Sequence, residues 1–212
     1  MTTGPSVLRP RDTDAVRAEL RRIGTEGQVP VMFGGAVHDD ALLLTEFYGT
    51  RTSRLRGLIV RSNFGIGGAS MVSGRPLAVA DYRHAPSITH DYDVPVLSEG
   101  IRSVLAVPVV IGGQARAMLY GAYRSSAPFG GRAADLMLAS ARRLADELTI
   151  RDEVDRRLRL LQAEPADTAT VNAERIRQVH AELRRLAAAD EAVDPGTLGH
   201  LADRLAEAMA GG

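Results

Sequence analysis

All nine aromatic residues of this chain, from Phe33 to Phe129, precede residue 130, and none follows over the remaining stretch to Gly212. Large ring side chains fill the space between a sheet and the helices that cover it. A segment without them must bury surface in another way. Beyond Phe129 the chain turns to Ala, Leu, Arg, Asp and Glu, the mixture of long helices and helical bundles. The break predicts an α+β domain over residues 1–150 and a helical dimerisation or coupling segment over residues 151–212. The last 49 residues, from Glu164, carry nine acids against five arginines, net −4. A DNA-binding tail would have the opposite sign.

The periodicities place the elements. Asp12 or Thr13 can cap a first helix through Arg22, with Val16, Leu20 and Ile23 at helical spacing and Gly24 as its stop. Val29 to Val37 and Ala41 to Tyr48 are apolar runs around His38-Asp39-Asp40, which predicts a hairpin turned on the polar tripeptide. Leu58 to Val60 and Leu77 to Ala80 are shorter strands. Between them Gly65 to Gly74 suits a short helix ended by the glycine. Asp81 to Gly100 has no sustained period and is expected as a long ordered loop with short helical turns, a kind of loop that usually carries function. Ile101 to Ile111 and Gln114 to Arg124 meet at Gly112-Gly113, where two glycines accept the positive φ of a tight hairpin turn. These two strands are expected at the centre of the sheet. Gly131 to Leu161 reads as one long helix; Val171 to Ala189 reads as another and Pro195-Gly196 starts a last one, these two making a C-terminal helical hairpin.

Composition removes much chemistry. There is no cysteine, which excludes a thiolate zinc site, a cysteine nucleophile and a thioether-linked tetrapyrrole. All 26 basic residues are arginine and are matched by 26 acids, so there is no Schiff-base lysine and no overall field toward nucleic acid or anionic lipid. No apolar stretch approaches the length of a membrane span, and Met1 to Arg11 has no secretory h-region. A cytoplasmic protein without membrane attachment is expected.

Three segments carry a family resemblance: Gly65-Ile66-Gly67-Gly68-Ala69; Ser73-Gly74-Arg75-Pro76-Leu77-Ala78-Val79-Ala80-Asp81-Tyr82; and Glu99-Gly100-Ile101-Arg102-Ser103-Val104-Leu105-Ala106-Val107-Pro108-Val109. Over roughly residues 12 to 150 the chain resembles a GAF domain, a small-molecule sensor module. More narrowly it is similar to the sensor half of actinobacterial regulators that end in a LuxR-type helix-turn-helix. The resemblance implies an antiparallel sheet flanked by helices, with no enzymatic activity. DNA would be reached only through a domain that the acidic final helices do not supply.

Gly65-Ile66-Gly67-Gly68 lacks both the preceding long strand and the following GK[ST] of a phosphate loop, so its glycines are assigned to tight turns and close packing. The candidate ligand site is an apolar, partly aromatic pocket over one sheet face, lined by Phe47, Phe64, Met71, Tyr82, His84, Ile88, His90, Tyr92, Met118 and Tyr120. On the alternating strand after Gly113, Arg116, Met118, Tyr120 and Ala122 share one face and Ala117, Leu119 and Tyr123 the other. His84 and His90 are candidates for lining a polar part of the pocket. The alternative is a haem or redox sensor using one of them as a ligand; their spacing fits no compact metal motif. Arg51, Arg54, Arg56 and Arg61 offer either a receptor for an anionic ligand tail or a solvated strand edge. The function expected is sensing of a small effector, apolar or aromatic with polar groups, by a homodimer that signals through its helical segment. A filled pocket on a pure dimerisation scaffold is the third possibility.

Overall fold

Two hairpins with two-residue turns organise the sheet. In the computed structural model, which describes residues 10–188, His200 and residues 202–205, β1 (Val31–His38) and β2 (Ala41–Tyr48) are joined by Asp39 and Asp40, at φ 46° and 60°. β5 (Ser103–Ile111) and β6 (Gln114–Tyr123) are joined by Gly112 and Gly113, at φ 59° and 83°. Positive φ at both central positions is the turn whose twist matches that of the strands, and Asp and Gly are the residues that tolerate it. His38 belongs to the strand, opposite Ala41, rather than to the turn.

β3 (Ile59–Arg61) and β4 (Leu77–Val79) complete a six-stranded antiparallel sheet in the order β3-β2-β1-β6-β5-β4. The centre is therefore β1 beside β6, and β5 lies one place further out than expected. β1 is buried along both faces from Val31 to Ala36, which only an interior strand can be. On β6 the alternation holds from Ala117 on: Met118, Tyr120 and Ala122 enter one core, Ala117 and Leu119 the other. Arg116, expected beside Met118, is skipped by the register shift opposite Val109 and Val110 and reaches Asp12 instead.

Helices cover both faces. α1 (Pro10–Glu26) packs Val16, Leu20 and Ile23 against Met32, Val107 and Leu119, with Met137, Leu144 and Leu148 of α4 (Gly131–Ala188) in the same layer. α1 continues through Gly24 to Glu26, and the glycine serves close packing rather than a stop: a Cβ there would fall 2.3 Å from the Tyr48 ring. α2 (Gly65–Ser73) covers the other face, and the 81–100 segment carries a 3-10 turn (Tyr82–His84) and α3 (Asp93–Ser98), as the sequence predicts. The helices expected over 131–161 and 171–189 are a single one, α4, which runs through Pro165; a proline removes one backbone bond of a helix, and the surrounding Ala, Leu, Arg and Glu favour its continuation.

Packing divides the chain into two units between Ile150 and Arg151. In the second unit Arg204 Nη1 lies 3.1 Å from Glu182 Oε2 of α4. Most of the expected last helix, including Leu198, Leu201 and Met209, lies outside the described residues. Among the described residues no helix is long and apolar enough to cross a membrane.

Candidate ligand site

The site is built on the sheet centre. Phe33 of β1 and Tyr120 of β6 are paired residues on adjacent strands, and their rings stack at 4.7 Å with 7° between planes. Leu44 of β2, Val60 of β3 and Val104 of β5 extend this floor, and Leu55 and Leu58 wall it from the connection between β2 and β3. Ile66 and Gly67 of α2, with Tyr82, Tyr92 and Val96 of the 81–100 segment, close it from above. They line a partly open cavity of about 30 Å³, room for about two water molecules. Anything larger fits only if the lining moves.

Among the described residues the Tyr120 hydroxyl has no hydrogen-bond partner, although the residue is only 3% exposed. Its position depends on Gly67, where a Cβ would fall 1.8 Å from the hydroxyl oxygen. Burial holds both this phenol and that of Tyr82 far above the ordinary value of 10, so both keep their protons.

A few polar contacts hold the 81–100 segment, here called the lid, against β3 and α2. The Tyr92 hydroxyl accepts from the Arg61 N–H at 3.0 Å, and the Gly65 N–H donates to Thr89 Oγ1 at 2.7 Å. His90 sits edge-on to Tyr82, with Nδ1 2.9 Å from Asp93 Oδ1 and Nε2 3.1 Å from the Ala85 carbonyl. Only the imidazolium donates from both nitrogens, and the Asp93 carboxylate, helped by the Ala85 carbonyl and the Asp91 charge against partial burial, raises its pKa above 6.5. At the C-terminal hinge of the lid Glu99 is 2% exposed. Its carboxylate accepts from the N–H of Arg51, from the N–H of Thr52 at 2.8 Å, from the Thr52 hydroxyl at 2.7 Å and from Arg124 Nη2 at 2.7 Å. Arg124, just beyond β6, also donates to the carbonyls of Glu99 and Gly49.

A sheet of this order, with a cavity between its centre, α2 and a lid, is matched by one family profile, that of the GAF domain, over residues 28–148. The chain belongs to the GAF domain family. This GAF protein is 31% identical over 186 residues to the HTH-type transcriptional activator RamA of Corynebacterium glutamicum, a match that covers 83% of this chain and 64% of RamA. The chain thus spans somewhat under two thirds of that relative. The GAF domain of a phosphoenolpyruvate-protein phosphotransferase from Coxiella burnetii superposes with a TM-score of 0.58 at 19% identity, over 70% of this chain and 88% of that one. Free methionine-R-sulfoxide reductase from Neisseria meningitidis, solved with its substrate, gives 0.54 at 19% identity, over 67% and 82%. At such identity these two establish the fold alone, and the second is an enzyme on it.

Of the residues expected in the pocket of this GAF domain, the structure brings Tyr82, Tyr92 and Tyr120 together around the cavity. Met118 is fully buried on the same sheet face without lining it, and Ile88 packs on that core from the lid. Phe47 carries the Arg56 guanidinium 4.8 Å above its ring. Met71 is buried beside a separate groove at the turn end of the sheet, lined also by Val37, Gln114 and Ala115. Phe64 is 44% exposed because it precedes α2, and Ile66 takes the inward position. Neither His84 nor His90 lines the cavity. His84 is an exposed partner of Asp81, at 3.0 Å, and its hydrogen bond lowers that carboxyl's pKa. Arg51, Arg54, Arg56 and Arg61 are all exposed, and none lines it either. No cluster of three metal-ligating side chains occurs among the described residues.

The residues missed are Phe33, Leu44, Leu55, Leu58, Val60, Ile66, Gly67, Val96 and Val104. Alternation on β6 identifies the face that Tyr120 shares, but which residues of β1 and β2 face it depends on the register Phe33↔Tyr120 and the order of strands.

Proposed function

We propose that this chain is the effector-sensing part of a transcriptional regulator, without catalytic activity, in which a small molecule replaces the solvent beneath the 81–100 lid. The observation that carries it is the partly open cavity at the sheet centre, apolar except for tyrosine hydroxyls, with one buried hydroxyl that no group among the described residues satisfies. The kinship with RamA supports the regulator, and the absence of cysteine together with a lining of aliphatic and tyrosine side chains gives chemistry little to work with. DNA would be engaged through a separate output element of the helix-turn-helix type that RamA's name denotes.

The route from effector to output runs through the Glu99 knot. The lid helix α3 ends directly before Glu99, whose carboxylate holds Arg124 at the end of β6, and β6 leads into α4. An effector that lifts the lid stresses this junction, so two lid positions correspond to two settings of the strand end that feeds the helix. In the second unit Val154 and Leu158, one turn apart on α4, are half exposed, and Leu160 is exposed as well. These apolar residues fit a homodimeric seam against a second copy.

A metabolite screen by thermal shift tests this function. True effectors raise the Tm of the wild type in proportion to the logarithm of their concentration over Kd, and fail to do so in Gly67→Ala, whose methyl displaces the Tyr120 hydroxyl. Equal shifts in both proteins would place the ligand elsewhere. A wild type that no metabolite shifts would leave the dimerisation scaffold as the better account.

A further inference from the structure

We infer that the effector is an uncharged, largely apolar molecule offering a hydrogen-bond acceptor to the Tyr120 hydroxyl, and that carboxylates and phosphates are excluded; this rests on the sensing function proposed above. Among the described residues no arginine, histidine, aspartate or glutamate lines the cavity. Arg54, Arg56, Arg61 and Arg83 adjoin lining residues in sequence but are exposed and do not line the cavity, with Arg56 over Phe47; Arg124 is held in the Glu99 knot, and both ring nitrogens of His90 face Asp93 and Ala85. An anion brought inside would lose its hydration and meet no counter-charge, a penalty far above that of a neutral polar group.

The polar inventory narrows the match. Tyr92 already accepts the Arg61 N–H at 3.0 Å, whereas the Tyr120 hydroxyl, buried and protonated, has no partner among the described residues. The hydroxyl lies against Gly67 and is closed to solvent, so a partner reaches it only when the cavity lining moves to admit one. A hydroxyl, carbonyl or ether oxygen or a neutral ring nitrogen would satisfy it, and the remaining ligand surface meets Phe33, Leu44, Ile66 and Val104. Seating anything larger than this cavity separates the lid from β3 and α2, which breaks the bonds of Tyr92 to Arg61 and of Thr89 to Gly65. Two backbone amides thereby become reporters of occupancy.

The test uses the full chain and three probes of one ring shape: benzyl alcohol, toluene and benzoate, titrated by NMR. Wild type should bind benzyl alcohol about tenfold more tightly than toluene, the contribution of one good hydrogen bond, and benzoate more weakly than either. In Tyr120→Phe benzyl alcohol and toluene should become equal, and Gly67→Ala should weaken both. Benzoate binding as tightly as benzyl alcohol, with the loss in Gly67→Ala retained, would overturn the neutral-ligand inference while leaving the sensor function standing. Probe binding indifferent to Gly67→Ala, or no binding by any probe, would overturn both. If Gly67→Ala does not fold, amide exchange in the wild type decides: benzyl alcohol should change protection at Arg61 and Gly65 and leave α1 unaffected, and a change confined to α1 would refute the site.

Discussion

Glu99→Ala is the most demanding perturbation of this architecture. The carboxylate serves two backbone N–H groups, a threonine hydroxyl and a guanidinium, in a position almost closed to water. Its removal strands four donors, of which the Arg124 guanidinium keeps its bonds to the carbonyls of Gly49 and Glu99. Each stranded donor costs on the order of 1 kcal/mol, and breaking a buried ion pair from one side costs about 3 to 5 kcal/mol. The two routes agree on a loss of about 4 kcal/mol, which lowers Tm by roughly 10 °C or more for a unit of this size. Urea unfolding followed by circular dichroism measures it, with Arg124→Ala as the second arm of a double-mutant cycle. Because the groups share one network, the double variant should lose clearly less than the sum of the singles. A loss below about 1 kcal/mol for Glu99→Ala, or strict additivity with Arg124→Ala, would refute the knot as the junction between lid and strand end. The pH dependence has a definite sign. Burial pushes the Glu99 pKa up, but the hydrogen bonds from Thr52, from the Arg51 and Thr52 amides and from Arg124 outweigh it and hold the carboxyl below its ordinary 4.5. Its stabilisation is thus present above pH 4.5 and lost as pH falls through the lowered value, and this acid limb should flatten in Glu99→Gln.

Gly67→Ala places a methyl where the Tyr120 hydroxyl lies, and should cost about 1 to 3 kcal/mol by overpacking; an unchanged denaturation midpoint would mean that the ring moves aside freely. His90 contributes to lid closure fully below its ordinary 6.5 and loses that contribution as pH rises through the raised value. Exchange of the Gly65 amide should accordingly quicken with pH beyond the intrinsic rate, an excess abolished in His90→Gln, and an NMR titration placing His90 at or below 6.5 would contradict the latch. Val154→Glu with Leu158→Glu should convert dimer to monomer in light scattering while the melting temperature of the first unit stays within about 2 °C, since substitutions at exposed positions change stability little; an unaltered dimer mass would put the interface elsewhere.

Local chemistry alone determined much of the fold. Both tight hairpins could be read from short stretches, because Asp39-Asp40 and Gly112-Gly113 meet a backbone requirement that few residues satisfy. The two faces of β6 beyond Arg116, the helix between Gly65 and Gly74, and the lid with its short turns followed from spacing in the same way. Helix limits were less legible: Gly24 reads as a stop until Tyr48, distant in sequence, is found against it.

The site itself was decided by tertiary structure. Period-2 alternation sorts one strand's residues into two sets, but it cannot say which set of a neighbouring strand lies beside them. That depends on register and strand order, which long-range packing selects. Tyr82, Tyr92 and Tyr120 could be named as pocket residues because tyrosines in a loop and on an alternating strand stand out. Phe33, Leu44 and Val104 are ordinary core residues by sequence, and they became walls only when β1 took the place beside β6. Phe64 carries the larger side chain and the stronger sequence signal, yet its position before the first turn of α2 leaves it toward solvent and turns Ile66 inward. Glu99 gave no local sign of its role. A buried carboxylate is tolerated only where its donors converge, and those donors come from the β2–β3 connection and the end of β6, which meet only in the folded chain.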